Sequence, residues 1–244
     1  FIYYFNSFPA TQIEKWMDIY SHRFLNPVFR LFQAELEIVY EEKNRSMDNP
    51  SRAFYDKFQE LFFKNHPYGQ QSRIGTIDHL KNPSLKKMKE YYDKFYVANN
   101  MSLIISGDFN KRKVKKIIKE KFGRLKSGAA IKPLNISEDD FNNREVVDVA
   151  MLPYRIARMG YRTVKPNHND AIVLDVIRNL FNNSSRAGLL DKLNAENKIL
   201  SASASNYIGG KDLGGFGFSF VPKDDSQTFD EAENLIINAI EKIK

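Results

Sequence analysis

Glu35 and Glu42 stand seven residues apart in a stretch with helical periodicity, and two turns of helix bring their carboxylates to the same side. Phasing that helix from Val28 at about 100° per residue puts Leu31, Phe32, Ile38 and Val39 on one stripe, with the two glutamates in its middle. Glu37 and Glu41 project from the opposite face, as surface acids do. An ionised carboxylate in an apolar seam is costly unless a cation or several donors meet it. Two answers stay open on the residues alone. One is a lysine or arginine from a neighbouring element, or a seam that opens to solvent at its end. The other is a metal ion, with one carboxylate as ligand and the second orienting the groups around it.

The chain has no cysteine, which excludes a disulfide framework, thiolate zinc fingers, iron–sulfur clusters and a thiol nucleophile. A metal site here must use imidazole and carboxylate, and a catalytic zinc needs three protein ligands with one position open. The four histidines, His22, His66, His79 and His168, include no pair at i,i+3 or i,i+4 spacing. A full zinc site is therefore not expected within this chain. His66, in a turn, and His79, after Gly75-Thr76, read as structural or exposed.

At 244 residues with 42% apolar side chains, the chain suits one large domain or two smaller ones of roughly 100–150 residues. No apolar run approaches the roughly 20 residues of a membrane span, and no secretory-type leader is visible. The sequence opens on Phe1, inside a strand-like run, as a piece cut from something longer would. Its 37 basic and 30 acidic residues leave a net charge of +7. The densest basic stretch, Lys111 to Phe122, carries Val114, Ile117, Ile118 and Phe122 at helical spacing. Its lysines then form a solvated helix face, and no zinc-finger or aromatic signature points to nucleic acid.

The elements that must hold these residues follow from local signals. FIYYFNSF (1–8) has strand composition and stops at Pro9. Thr11 with Glu14 forms a capping box for a helix facing inward through Ile13, Trp16, Met17, Tyr20 and Phe24. Asn26-Pro27 opens the glutamate helix, which runs to about Asn44, and Asp48-Asn49-Pro50 restarts a third with Phe54, Phe58, Leu61 and Phe62 inward. A turn at His66–Gly69, a helix from Asn82-Pro83 and a buried-type strand at Met101–Ser106 (MSLIIS) precede the basic helix. Residues 126–144 lose periodicity and read as a linker. Beyond it come strands near Tyr154–Arg162, Leu200–Ile208 and Phe216–Val221 and helices near Ala171–Leu180 and Arg186–Leu193. A second capping box, Thr228 with Glu231, starts the last helix. Strand, polar turn and helix thus occur twice, as in two related units.

ELEIVYEEKNR over 35–45, followed by Asp48-Asn-Pro50, resembles the M16 zinc metallopeptidases, the inverted-motif family of pitrilysin, insulin-degrading-enzyme-like and mitochondrial-processing-type members. The resemblance continues through His66-Pro-Tyr-Gly69, Gly75-Thr76-Ile77, Tyr96-Val-Ala-Asn-Asn-Met101, Ser106-Gly-Asp-Phe109 and Phe122-Gly123, and is closest to long bacterial members. It implies an α+β, M16 metallopeptidase-like (LuxS/MPP-like) lobe of two related units, each with a mostly antiparallel sheet covered by helices. The divisions it implies are 1–127 as the remainder of the first unit, 128–145 as a linker and 146–244 as a truncated second unit.

In that family a His-x-x-Glu-His helix gives two zinc-ligand histidines and the glutamate that activates a water. Carried over by position, Glu42 would be the third ligand and Glu35 the supporting acid. The resemblance implies zinc as cofactor, peptide or unfolded polypeptide as substrate, a second M16 lobe in the same chain or a partner subunit, and the bacterial periplasm or cell envelope as location. The His-x-x-Glu-His element, which lies N-terminal to the strand in the family, is absent from this chain, so the chain alone is expected to be inactive. Where many members carry a substrate-contacting Arg and Tyr, this sequence has Asn194 and Ser201, which fits an N-terminal lobe or a catalytically inactive homologue serving in structure, peptide binding or assembly.

Overall fold

A computed structural model describes residues 2–132, 136–150, 152–206 and 208–243. Phe1 of the expected first strand, residues 133–135 of the expected linker and Tyr207 of an expected strand lie outside the described residues. In chain order the helices are α1 (Ile13–Leu25), α2 (Phe32–Met47), α3 (Pro50–Phe62), α4 (Pro67–Gln70), α5 (Ile77–Lys81), α6 (Leu85–Phe95), α7 (Lys111–Lys121), α8 (Ala171–Phe181), α9 (Leu189–Ala195) and α10 (Phe229–Glu241). The strands are β1 (Ala157–Thr163), β2 (Ser201–Ser205) and β3 (Gly214–Val221). Contacts gather the chain into two units, Phe1–Glu41 with Thr76–Asn135, and Glu42–Gly75 with Ile136–Lys244. The division differs from one drawn along the sequence at 127 and 146, because α3 and α4 pack with the later residues.

In the first unit, Met17 of α1 and Val114 and Ile117 of α7 form the buried centre, with Trp16, Phe109 and Phe122 packed around them. Lys111, Arg112, Lys113, Lys115, Lys116 and Lys119 are all exposed, so the basic stretch is the solvated side of an amphipathic helix. Residues 2–8 do not form the expected strand. A strand needs a partner for its backbone, and this segment instead places rings on α1. Tyr4 meets Phe24 edge-on at 5.3 Å and shares a 2.6 Å hydrogen bond with the Tyr96 hydroxyl, and Phe8 stacks on Trp16 at 4.9 Å. Residues 101–106 likewise pair with no strand among the described residues. Ile105 reaches the core, while Ile104 is 88% exposed. The first unit therefore has no sheet among its described residues. The Thr11/Glu14 capping box is also not formed, because Thr11 lies inside a 3-10 turn, Ala10–Gln12, that leads into α1.

The second unit holds an antiparallel sheet in the order β1-β3-β2. Phe216, Phe218 and Phe220 alternate along one face of β3 and are buried with Ala202, with Phe181 of α8, Leu190 of α9, and Ala232 and Ile236 of α10. The Thr228 capping box forms as expected: its Oγ1 accepts the Glu231 N–H at 3.1 Å, and the Glu231 carboxylate accepts the Thr228 N–H at 2.8 Å. Asn49 caps α3 by accepting the Arg52 N–H at 3.1 Å, with Pro50 in the first turn.

The opposite face of the sheet is built from small residues so that α3 can lie on it. A Cβ on Gly160 would come within 2.7 Å of the Phe62 ring, and one on Gly215 within 2.9 Å. Phe58 and Phe62 thus find their apolar cover in the second unit.

The expected linker has no regular element among its described residues, yet one of its side chains is among the most deeply held. The Glu138 side chain is 1% exposed and accepts the Lys64 N–H at 2.7 Å, the Asn65 N–H at 3.0 Å and the Arg162 guanidinium at 2.9 Å. Arg162 sits 4.8 Å from the Phe62 ring, 4.9 Å from Phe141 and 5.2 Å from Phe63, and also donates to the Phe62 carbonyl at 2.6 Å. Removing one partner of such a pair strands the other in an apolar cage. Glu138→Ala is expected to cost about 3–5 kcal/mol in denaturant unfolding, and Glu138→Leu with Arg162→Met together less than either alone. Single variants as stable as the wild type would show the pair to be dispensable.

Asp191 ties the α8–α9 connection. Burial alone would raise its carboxyl, but hydrogen bonds from Asn182 Nδ2 and the Asn183 and Gly188 N–H groups outweigh it and hold the pKa below the usual range. Its contribution to stability is complete above the unfolded value of about 3.9 and is lost as pH falls through the lower folded value. The stability gap between wild type and Asp191→Asn should therefore close only below about pH 4; a gap unchanged down to strong acid would contradict this.

Candidate functional site

α2 carries both candidate glutamates, but it starts and faces differently from the sequence expectation. Asn26-Pro27 does not open it. Leu31 has a left-handed φ of 56°, and the helix begins at Phe32. The covered side of α2 runs through Phe32, Leu36, Val39 and Tyr40, roughly 100° round the helix from Leu31, Glu35, Ile38 and Glu42. Next to that covered side lie Leu80 and Lys81 of α5, with the Lys81 ammonium 5.9 Å from the Tyr40 ring.

Glu35 and Glu42 are both exposed. They are on one side of one helix, as phased, but the seam around them is open: Leu31 is 73% and Ile38 61% exposed. The cost expected for a carboxylate buried among apolar groups does not arise, because water solvates both. No hydrogen bond or ion pair from the described residues reaches either carboxylate. The neighbouring Glu37 is held by Gln33 Nε2 at 3.3 Å.

No group of three or more His, Cys, Asp or Glu able to hold a metal occurs among the described residues, so the residues present do not fit a complete zinc site. Two of the four histidines serve local turns. His66 is buried and caps α4 by accepting the Tyr68 N–H on Nδ1 at 3.2 Å. His168 Nδ1 accepts the Asp170 N–H at 3.2 Å, and His22 and His79 are exposed. Asn194, on α9, donates weakly to the Ala202 carbonyl at 3.4 Å, and Ser201 opens β2 with an exposed side chain.

Sequence reasoning passed over Glu138, Arg158 and Arg162. Arg158 and Arg162 alternate with Gly160 on β1, a spacing that puts two cations on one strand face; that periodicity was the available signal. Glu138 gave none, since its partners arrive from more than twenty residues away in both directions.

Comparison with known proteins places the molecule. The family description "Peptidase M16 inactive domain" matches residues 83–244. The zinc protease PqqE of Helicobacter pylori is 25% identical over 249 residues, a match covering 99% of this chain and 55% of PqqE. A protease from Helicobacter pylori shares the fold with a TM-score of 0.74 at 21% identity, over 96% of this chain and 63% of its own. The periplasmic protease PqqL of Escherichia coli does so with a TM-score of 0.76 at 17% identity, over 98% of this chain and 27% of its own. The chain belongs to the M16 peptidase family. Its architecture is the mixed helical and antiparallel-sheet lobe of that family, and it spans about half the length of PqqE. No helix among the described residues is long and apolar enough to cross a membrane.

Because neither carboxylate has a partner among the described residues, Glu35→Gln and Glu42→Gln in this chain are expected to change urea-unfolding stability by less than about 0.5 kcal/mol. A loss above about 2 kcal/mol would reveal a buried partner and contradict the exposed placement.

Proposed function

We propose that the chain is part of a zinc-dependent metalloendopeptidase that hydrolyses peptides or unfolded polypeptide, with Glu42 a zinc ligand and Glu35 its supporting acid. The observation that carries this reading is the pair itself: two carboxylates on one side of α2, exposed and met by no cation among the described residues, at positions to which the family resemblance assigns the third ligand and its supporting glutamate. The names of the relatives as zinc proteases support zinc as the cofactor. The remaining ligands and the water-activating glutamate would come from outside these residues, and a second M16 lobe, in the same chain or a partner subunit, would complete the substrate chamber. In sequence terms 1–127 and 146–244 are read as the two M16 units. The periplasmic relative supports a periplasmic or cell-envelope location.

A second reading, a catalytically inactive lobe serving in structure, peptide binding or assembly, is favoured by the word "inactive" in the matched family description. The two part on metal content. In the full-length protein, Glu42→Gln is expected to remove most of a bound zinc, present at about one per molecule, and to lower peptide hydrolysis about 100-fold or more. Glu35→Gln should cost about 10-fold, and Glu41→Gln nothing, by elemental analysis and peptide-cleavage assay. Full zinc and activity in the Glu42→Gln protein would end the first reading; a wild-type protein without zinc or hydrolysis would establish the second.

A further inference from the structure

Arg158 and Arg162 share the sheet face that α3 covers, and they are treated differently there. The face runs from Arg158, Gly160 and Arg162 on β1, across Ser219, Gly217 and Gly215 on β3, to Ser203 on β2, with Arg158, Ser219 and Ser203 in direct register. Both guanidiniums lie over rings of α3: Arg162 over Phe62, and Arg158 at 4.7 Å from Phe58 and 5.0 Å from Tyr55. Arg162 has Glu138. Arg158 has no hydrogen bond or ion pair among the described residues. Burial pulls its pKa below the usual guanidinium value, and the neighbouring Tyr55 hydroxyl opposes that shift.

Stacking on a ring occupies the flat side of a guanidinium and leaves its five N–H donors free at the edge. Such an edge matches a carboxylate bidentately, and a partly desolvated cation without a partner gains most from one. The molecule's own answer to the same problem, four residues along the strand, is a carboxylate. Around Arg158 the sheet stays open toward β2: Ser203 is exposed and Ser219 partly so, and neither hydroxyl makes a hydrogen bond among the described residues. Side chains this small leave room for an extended peptide to lie on the sheet, with hydroxyls at hand for its backbone.

We propose that Arg158, with Ser219 and Ser203 beside it, binds a carboxylate carried on an extended peptide, either an acidic side chain or the free C-terminus. The proposal does not rest on the metal reading of Glu35 and Glu42. Its test contains no zinc and reads no hydrolysis, so either can fail alone.

The test is a titration of the isotope-labelled 244-residue protein, reading the Nε–H resonance of Arg158, assigned by its absence in Arg158→Lys. Three peptides serve as probes: acetyl-Ala-Glu-Ala-amide, acetyl-Ala-Ala-Ala with a free carboxylate, and acetyl-Ala-Gln-Ala-amide. The expected result is a saturable shift with at least one carboxylate peptide, at least about tenfold tighter than with the Gln peptide, weakened by Ser219→Ala and abolished in Arg158→Gln as read on the neighbouring backbone amides. Preference for the Glu peptide identifies a side-chain carboxylate, and preference for the free terminus a peptide end. The Arg162 Nε–H resonance should stay fixed throughout and also reports that the variants fold. No saturable shift with either carboxylate peptide up to about 10 mM, or equal shifts with all three, would overturn the proposal.

Discussion

The second unit is organised by the need to give one buried guanidinium a counter-charge. Arg162 stands among three phenyl rings, an environment that solvates a cation only through their faces. Glu138 supplies the charge, and its remaining lone pairs take the two backbone N–H groups just beyond α3. One carboxylate thereby fixes the end of α3, the irregular segment around 138–141 and β1 against each other. Buried ion pairs add little stability over an apolar substitute. What this one does is join three segments far apart in sequence through two side chains, with Arg162 Nε and Nη1 left without a hydrogen-bond partner among the described residues.

The same constraint explains the composition of the sheet. Its two faces do opposite work: phenylalanines at alternate positions of β3 fill the core shared with α8, α9 and α10, while glycines and serines on the other face admit α3 at close range. Gly160 and Gly215 are needed because the Phe62 ring occupies the space a Cβ would take. That close approach brings the rings of α3 over both arginines of β1 and pulls residues 42–75 into the second unit.

Local signals were legible wherever local chemistry decides. Asn49-Pro50, the Thr228/Glu231 box and the alternating β3 gave their elements close to the observed ends, because a cap or a pleat is satisfied within a few residues. The failures are equally consistent. FIYYFNSF and MSLIIS have strand composition, but a strand is a relation between two segments, and composition cannot supply the partner. Phe32–Met47 was found as a helix but turned by about a quarter of a circle, since Val28 and Leu31 were counted in its stripe while the left-handed Leu31 puts them outside it. Glu138 looked like linker because its role is set wholly by distant groups.

The turned helix changes what Glu35 and Glu42 mean. In a closed seam they would demand a cation to make folding possible, and any nearby lysine would serve. On an open face folding makes no such demand: water solvates them, and a lysine or glutamine there would keep the helix as soluble. What lysine or glutamine could not do from those positions is present two anionic oxygen donors along one side of a helix to a cation that arrives with its other ligands already in place. The exposure that removes a structural reason for the pair therefore makes the proposed metal-binding role separable from stability.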